Sequence, residues 1–204
     1  MLRNRLLLLG LALILCCAAY LFTGIKGSWE FALMFRGQKL AALLLVGAAQ
    51  AVAGERLAAV MVQANSANPA VVVAHLNAIH QATGAKVVLQ DYPLASGVSI
   101  STESLINVVQ ACRFVIAVKA EAPPTSVAIA QLTAALDVSV FGGLGGQGLL
   151  DELLSGAAGA MTGFSYPEAL IACVRAWQTD GYEAARDALL PYLPLINFEQ
   201  QARI

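Results

Sequence analysis

Charged residues are scarce in this chain of 204 residues. They make up 12% of it, against 58% hydrophobic residues. A soluble domain usually carries about a quarter charged residues. The net charge is −1 and no basic cluster breaks the sequence, so the electrostatic footprint of a nucleic-acid binder is missing. Only two histidines occur, His75 and His80, five apart on one expected helix. Both read as surface or internally satisfied residues. Of the four cysteines, Cys16 and Cys17 lie in an apolar stretch, and Cys112 and Cys173 stand isolated in apolar surroundings. None shows metal-ligand spacing, so no metal or other cofactor is expected. Cys112 and Cys173 read as small core residues. No dinucleotide fingerprint is present either.

What the chain does have, first, is a long apolar opening. No charged residue lies between Arg5 and Lys26. An apolar run of about twenty residues crosses a bilayer as a helix. Residues 6–24 therefore predict a membrane helix, and Arg3 and Arg5 before it favour a cytoplasmic N-terminus. A secretory signal is the alternative. Its apolar core is normally shorter, and no clean small-x-small cleavage site follows.

The composition changes near Gly54. Residues 1–54 contain residues 6–24, then Ser28-Trp29-Glu30-Phe31, then the segment from Arg36-Gly37-Gln38-Lys39 into Val46-Gly47-Ala48-Ala49. This piece resembles the start of an iron–siderophore ABC transporter permease, in which an Arg-led segment opens the second membrane helix.

Beyond residue 57, strands and helices alternate. Ala58–Val62, Lys86–Gln90, Phe114–Lys119, Val138–Phe141 and Gly159–Gly163 read as strands. Helices are predicted from Pro69 to Thr83, Ser101 to Cys112, Pro123 to Leu136, Gln147 to Ser155, Pro167 to Gln178 and Tyr182 to about Tyr192. Asn68 is the expected N-cap of the first, with Pro69 at its first position and Gly84 as its stop. Short apolar strands, each followed by a helix, imply a parallel sheet covered by helices. Equal units without a dinucleotide fingerprint favour a TIM (β/α)8 barrel over a doubly wound sheet. About five units are present, so a partial barrel with open edges is expected.

Lys119 is the candidate reactive residue. It ends the run Phe114-Val115-Ile116-Ala117-Val118, whose length and branched residues mark a buried strand. Burial disfavours an ammonium, and a neutral lysine attacks carbonyls to form a Schiff base. The alternative is a lysine that snorkels from the strand end into water.

Residues from about 57 to 204 resemble the dihydrodipicolinate synthase/N-acetylneuraminate lyase family. The carrying residues are Val60-Met61-Val62-Gln63, His75-Leu76-Asn77-Ala78-Ile79 and Val87-Val88-Leu89-Gln90-Asp91-Tyr92-Pro93. They continue with Val115-Ile116-Ala117-Val118-Lys119-Ala120-Glu121, the glycines from Gly142 to Gly146, and Gly156-Ala157-Ala158-Gly159. The resemblance implies strands four to eight of the barrel. It implies that Lys119 is the Schiff-base lysine, acting on pyruvate or another small 2-oxo acid. It places Gln90, Gly142 and Gly143 against the substrate; a simple tight turn is the alternative for the glycines.

Two departures from the family pattern stand out. Gln90-Asp91-Tyr92-Pro93 replaces a Tyr-Asn-x-Pro segment whose tyrosine relays protons. Gln cannot do so, which leaves Tyr92 as the candidate acid/base, or else as a loop aromatic. The family's carboxylate-binding loop after its second strand has no counterpart.

The chain thus reads as two pieces. Residues 1–54 form a permease-like membrane segment, and residues 57–204 form a truncated aldolase-type barrel. A Schiff-base lyase is the leading expectation, with its domain cytoplasmic in origin and membrane-anchored through residues 6–24. A second copy would cover the open sheet, making a homo-oligomer. The rivals are a membrane component with an accessory domain, and a non-catalytic remnant in which Lys119 is structural.

Overall fold

A computed structural model describes residues 58–201 of the chain. The predicted membrane helix at residues 6–24, and the whole permease-like segment 1–54, lie outside the described residues. Among the described residues, no helix is long and apolar enough to cross a membrane.

The five expected strands are all present and all parallel. They are β1 (Val60–Gln63), β2 (Val87–Asp91), β3 (Val115–Ala120), β4 (Ser139–Gly142) and β5 (Gly159–Ala160). Their order in the sheet is their order in the chain. A doubly wound sheet reverses direction at a switch point; this one does not, which is the barrel's arrangement. The described residues therefore form part of a TIM-barrel-like α/β sheet.

Helices join the strands. They are α1 (Pro69–Thr83), the short α2 (Pro93–Ser96), α3 (Thr102–Ala111), α4 (Thr125–Ala135) and α5 (Leu149–Leu154). After β5 come α6 (Pro167–Asp180), α7 (Tyr182–Leu189) and α8 (Leu193–Glu199). The ends of α1 follow the sequence signals. Asn68 Oδ1 accepts from the Ala70 N–H at 3.0 Å. Gly84 is left-handed at φ 68° and returns its N–H to the His80 carbonyl at 2.7 Å, a conformation that glycine reaches without strain. His80 is internally satisfied, through the Ala85 carbonyl at 2.8 Å and stacking on Phe114.

Two predicted elements differ. The helix expected from Tyr182 to Tyr192 breaks into α7, a 3-10 turn at Leu190–Tyr192, and α8. Pro191 and Pro194 explain the breaks: each lacks an N–H and starts a new turn rather than continuing one. The strand expected at Gly159–Gly163 keeps only two residues, paired with Phe141 and Gly142. Glycine-rich sequence has little side chain to hold a strand in place.

The helix-facing side of the sheet carries the main core. Val87, Leu89, Val115, Val118, Ala120 and Val140 pack with Val72, Leu76, Leu105, Val108, Ile129 and Leu132 from the helices. A second cluster joins α5 to the last helices through Leu149, Leu153, Leu170, Cys173, Leu189 and Ile196. Cys112 and Cys173 are both buried, as expected of small core residues.

One irregularity positions the site. The β2–β3 register runs Val87 to Val115, then Val88 to Ala117, so Ile116 is the extra residue of a bulge. Val115 faces the helices, and strict alternation would send Ala117 and Lys119 the same way. The bulge reverses the phase. Val118 and Ala120 take the helix side, and Lys119 turns to the opposite face.

Candidate active site

One row of residues crosses the sheet at the level of Lys119. Gln63 pairs with Gln90, Gln90 with Lys119, Lys119 with Phe141, and Phe141 with Gly159. Paired residues of neighbouring strands share a face, so this row points away from the helices. The next row, Asp91, Ala120 and Gly142, points back towards them. Glu121 follows β3 and returns to the Lys119 side.

Lys119 does not snorkel. Its side chain is 12% exposed, and Nζ lies 2.9 Å from Glu121 Oε2, on a carboxylate only 4% exposed. The same oxygen accepts from Gln90 Nε2 at 2.6 Å. The other oxygen, Oε1, accepts from the Leu144 N–H at 3.3 Å. Charge-assisted bonds of this kind are about twice as strong as neutral ones. Glu121 thus ties the Lys119 strand end, the Gln90 strand end and the glycine turn together.

The turn needs its glycines for space. A Cβ at Gly143 would overlap the Glu121 carboxylate, and one at Gly142 would overlap the Glu152 carboxyl. The backbone lies directly on two acids, a more specific demand than a tight turn makes. Glu152 is buried at 1% exposure. Its Oε1 accepts from Thr125 Oγ1 at 2.7 Å, and its Oε2 has no partner among the described residues. Burial pushes the Glu152 carboxyl above the ordinary range; the charges of Glu121 and Asp151 push the same way, against the Thr125 bond.

Asp91, beside the row, is pushed up to about 6 by burial first and by the Glu121 charge second. The folded state therefore holds this proton more tightly than the unfolded chain, whose ordinary value is 3.8. Stability from this group is present below about pH 4 and is lost as the pH rises through 6. The expected penalty at pH 8 is roughly 3 kcal/mol. Asp91→Asn should raise the urea midpoint at pH 8 and leave it nearly unchanged at pH 4.

Of the residues singled out in the sequence, Lys119, Gln90 and Gly143 are brought together around Glu121, while Gly142 lies on the helix-facing side against Glu152. Tyr92 stands apart. The chain leaves β2 after Asp91, and Tyr92 occupies the N-cap position of α2. Its backbone carbonyl accepts from Gln63 Nε2 at 3.3 Å; its phenol makes none of the site's hydrogen bonds. Glu121 and Glu152 carried no assigned role, although both left a trace. Glu121 stands two residues after Lys119, the spacing that returns a side chain to the same face. Glu152 shares a helical face with Leu149 and Leu153 and so interrupts an apolar stripe. Among the described residues, no three His, Cys, Asp or Glu side chains form a metal-binding group. A cleft of about 300 Å³ opens beside Asp91, Ser101, Pro124 and Gln131; Lys119 does not line it.

The fold and part of the sequence have likenesses among known proteins. No family model matches the chain. A curated relative, L-2-keto-3-deoxyarabonate dehydratase of Azospirillum brasilense, is 29% identical over 126 residues, 60% of this chain and 40% of the relative. A solved dihydrodipicolinate synthase from Rhodopseudomonas palustris superposes with a TM-score of 0.64 at 27% identity, over 70% of this chain and 51% of that one. The likeness is to the dihydrodipicolinate synthase family. It extends in fold alone to the 2-keto 3-deoxygluconate aldolase of Picrophilus torridus, with a TM-score of 0.59 at 18% identity over 72% of this chain and 55% of that chain. The matched part spans about half the length of these relatives or less. None of the three is a permease, and the permease resemblance of residues 1–54 gains no support from them.

Proposed function

We propose that residues 58–201 carry the Schiff-base centre of a lyase or aldolase, acting on pyruvate or another small 2-oxo acid. The observation that supports this best is Lys119: nearly buried, at the C-terminal end of a parallel strand, with a carboxylate 2.9 Å from its nitrogen. Active sites of such barrels lie at that end of the strands.

The residues suit the chemistry. The Lys119 ammonium passes a proton to Glu121, and the free amine attacks the 2-oxo carbon. The resulting carbinolamine loses its oxygen as water, taking a proton back from Glu121, and leaves the imine. Gln90 commits its Nε2 to Glu121, and the Gln90 Oε1 is left to accept from the carbinolamine hydroxyl. Gly143, lying on Glu121, completes the wall on the other side, and Gly142 supports it from the helix-facing side. Tyr92 ranks second to Glu121 for acid/base work, because Glu121 already touches Lys119. Attachment to a membrane through residues 6–24, and assembly into a homo-oligomer, extend the proposal from sequence alone.

A structural ion pair is the competing reading of the same contact. Borohydride reduction in the presence of pyruvate separates the two, because only an imine is trapped. The full chain should gain one reduced pyruvate by intact mass, and Lys119→Ala should gain none. A folded chain that gains nothing would leave the ion pair as structure only.

A further inference from the structure

Glu152 is the least explained group near the site. It has the burial of a core leucine, yet one carboxyl oxygen bonds only to Thr125 and the other to nothing among the described residues. A buried polar atom without a partner costs free energy, so its retention asks for a reason. Its surroundings supply one. The carboxyl fills the space where Gly142 would carry a Cβ, and it also lies against Gly148 ahead of α5. The next residue, Gly143, lies in the same way on the Glu121 carboxylate. The residue after that, Leu144, donates its N–H to Glu121.

We propose that Glu152 is a positioning residue. Anchored by Thr125 at the start of α4, its carboxyl braces Gly142, and the braced turn holds Gly143 and the Leu144 N–H on Glu121. Glu121 is thereby kept in reach of Lys119. The bracing needs the shape of the carboxyl and its bond from Thr125. It does not need a negative charge, which would add repulsion against Glu121 and Asp151. The relevance to catalysis rests on the Schiff-base reading above; the bracing itself does not.

Two readouts on the full chain test this. The first is the amide resonance of Leu144. The second is the rate of borohydride-trapped adduct formation as pyruvate is varied. Glu152→Met fills a similar volume but cannot accept from Thr125. It should shift the Leu144 amide and lower the maximal trapping rate about tenfold or more, with half-saturating pyruvate unchanged, as expected of misplacement rather than lost binding. Glu152→Gln, neutral and able to accept, should keep both readouts close to wild type. If Glu152→Met does not fold, Thr125→Val removes the same anchor and should produce the same changes. A Leu144 amide and a rate untouched by these substitutions would overturn the proposal. So would a Gln variant as impaired as the Met variant, since the proton of Glu152 would then be used directly. A wild-type chain that traps no pyruvate would sink the Schiff-base reading alone, and the Leu144 amide would still decide the bracing.

Discussion

Glu121→Gln should slow imine formation at Lys119 by about 10²- to 10⁴-fold, the range for loss of a positioned acid/base group. The substitution preserves shape and removes the carboxylate that, among the described residues, touches the lysine nitrogen. Two effects combine. The ammonium loses its proton acceptor, and the carbinolamine loses the acid that expels its water. The introduced amide also meets the amide of Gln90, whose Nε2 in the wild type donates to Glu121 at 2.6 Å. The measurement is a quenched-flow trapping rate at saturating pyruvate. An unchanged rate in Glu121→Gln would move the acid/base role elsewhere, with Tyr92 the next residue to substitute.

The second large effect is on stability. Lys119→Met removes the cation from a pair in which both side chains are nearly buried. The lost partner leaves Glu121 as an uncompensated charge, at a cost of about 3–5 kcal/mol. The penalty belongs to the orphaned charge and not to the missing lysine. The double substitution Lys119→Met with Glu121→Gln should therefore recover most of it, because a buried ion pair is usually replaceable by neutral groups at little cost. Urea unfolding of the wild type, both single variants and the double variant gives the coupling directly. Additive losses would show that the two residues do not act as a pair.

The sequence made the sheet readable because the signals there are local. Branched runs mark the strands, and Asn68, Pro69 and Gly84 mark a helix at both ends. Lys119 was legible because it closes such a run. The direction in which Lys119 points was not legible. It depends on the bulge at Ile116, which belongs to the pairing of β3 with β2 and to neither strand alone. The role of Glu121 was hidden for a related reason. Its spacing from Lys119 was plain, but its bonds come from Gln90, thirty-one residues earlier, and from Leu144, twenty-three later. Gln90, expected against the substrate where the family carries a tyrosine, also donates to Glu121, a contact that no local pattern reveals. The glycines at 142 and 143 read locally as a substrate-facing loop or a tight turn. What demands them is the pair of carboxyls beneath, one on a strand end and one on a helix, which no local pattern reveals.

The most direct test of the whole account is where pyruvate attaches. The chain has four lysines, Lys26, Lys39, Lys86 and Lys119. Borohydride-reduced full-length protein, digested and mapped by mass spectrometry, should carry the pyruvyl modification on the peptide containing Lys119 and leave the others unmodified. Modification spread over all four, or found on Lys86 in place of Lys119, would contradict the claim that the bulged third strand presents a dedicated nucleophile.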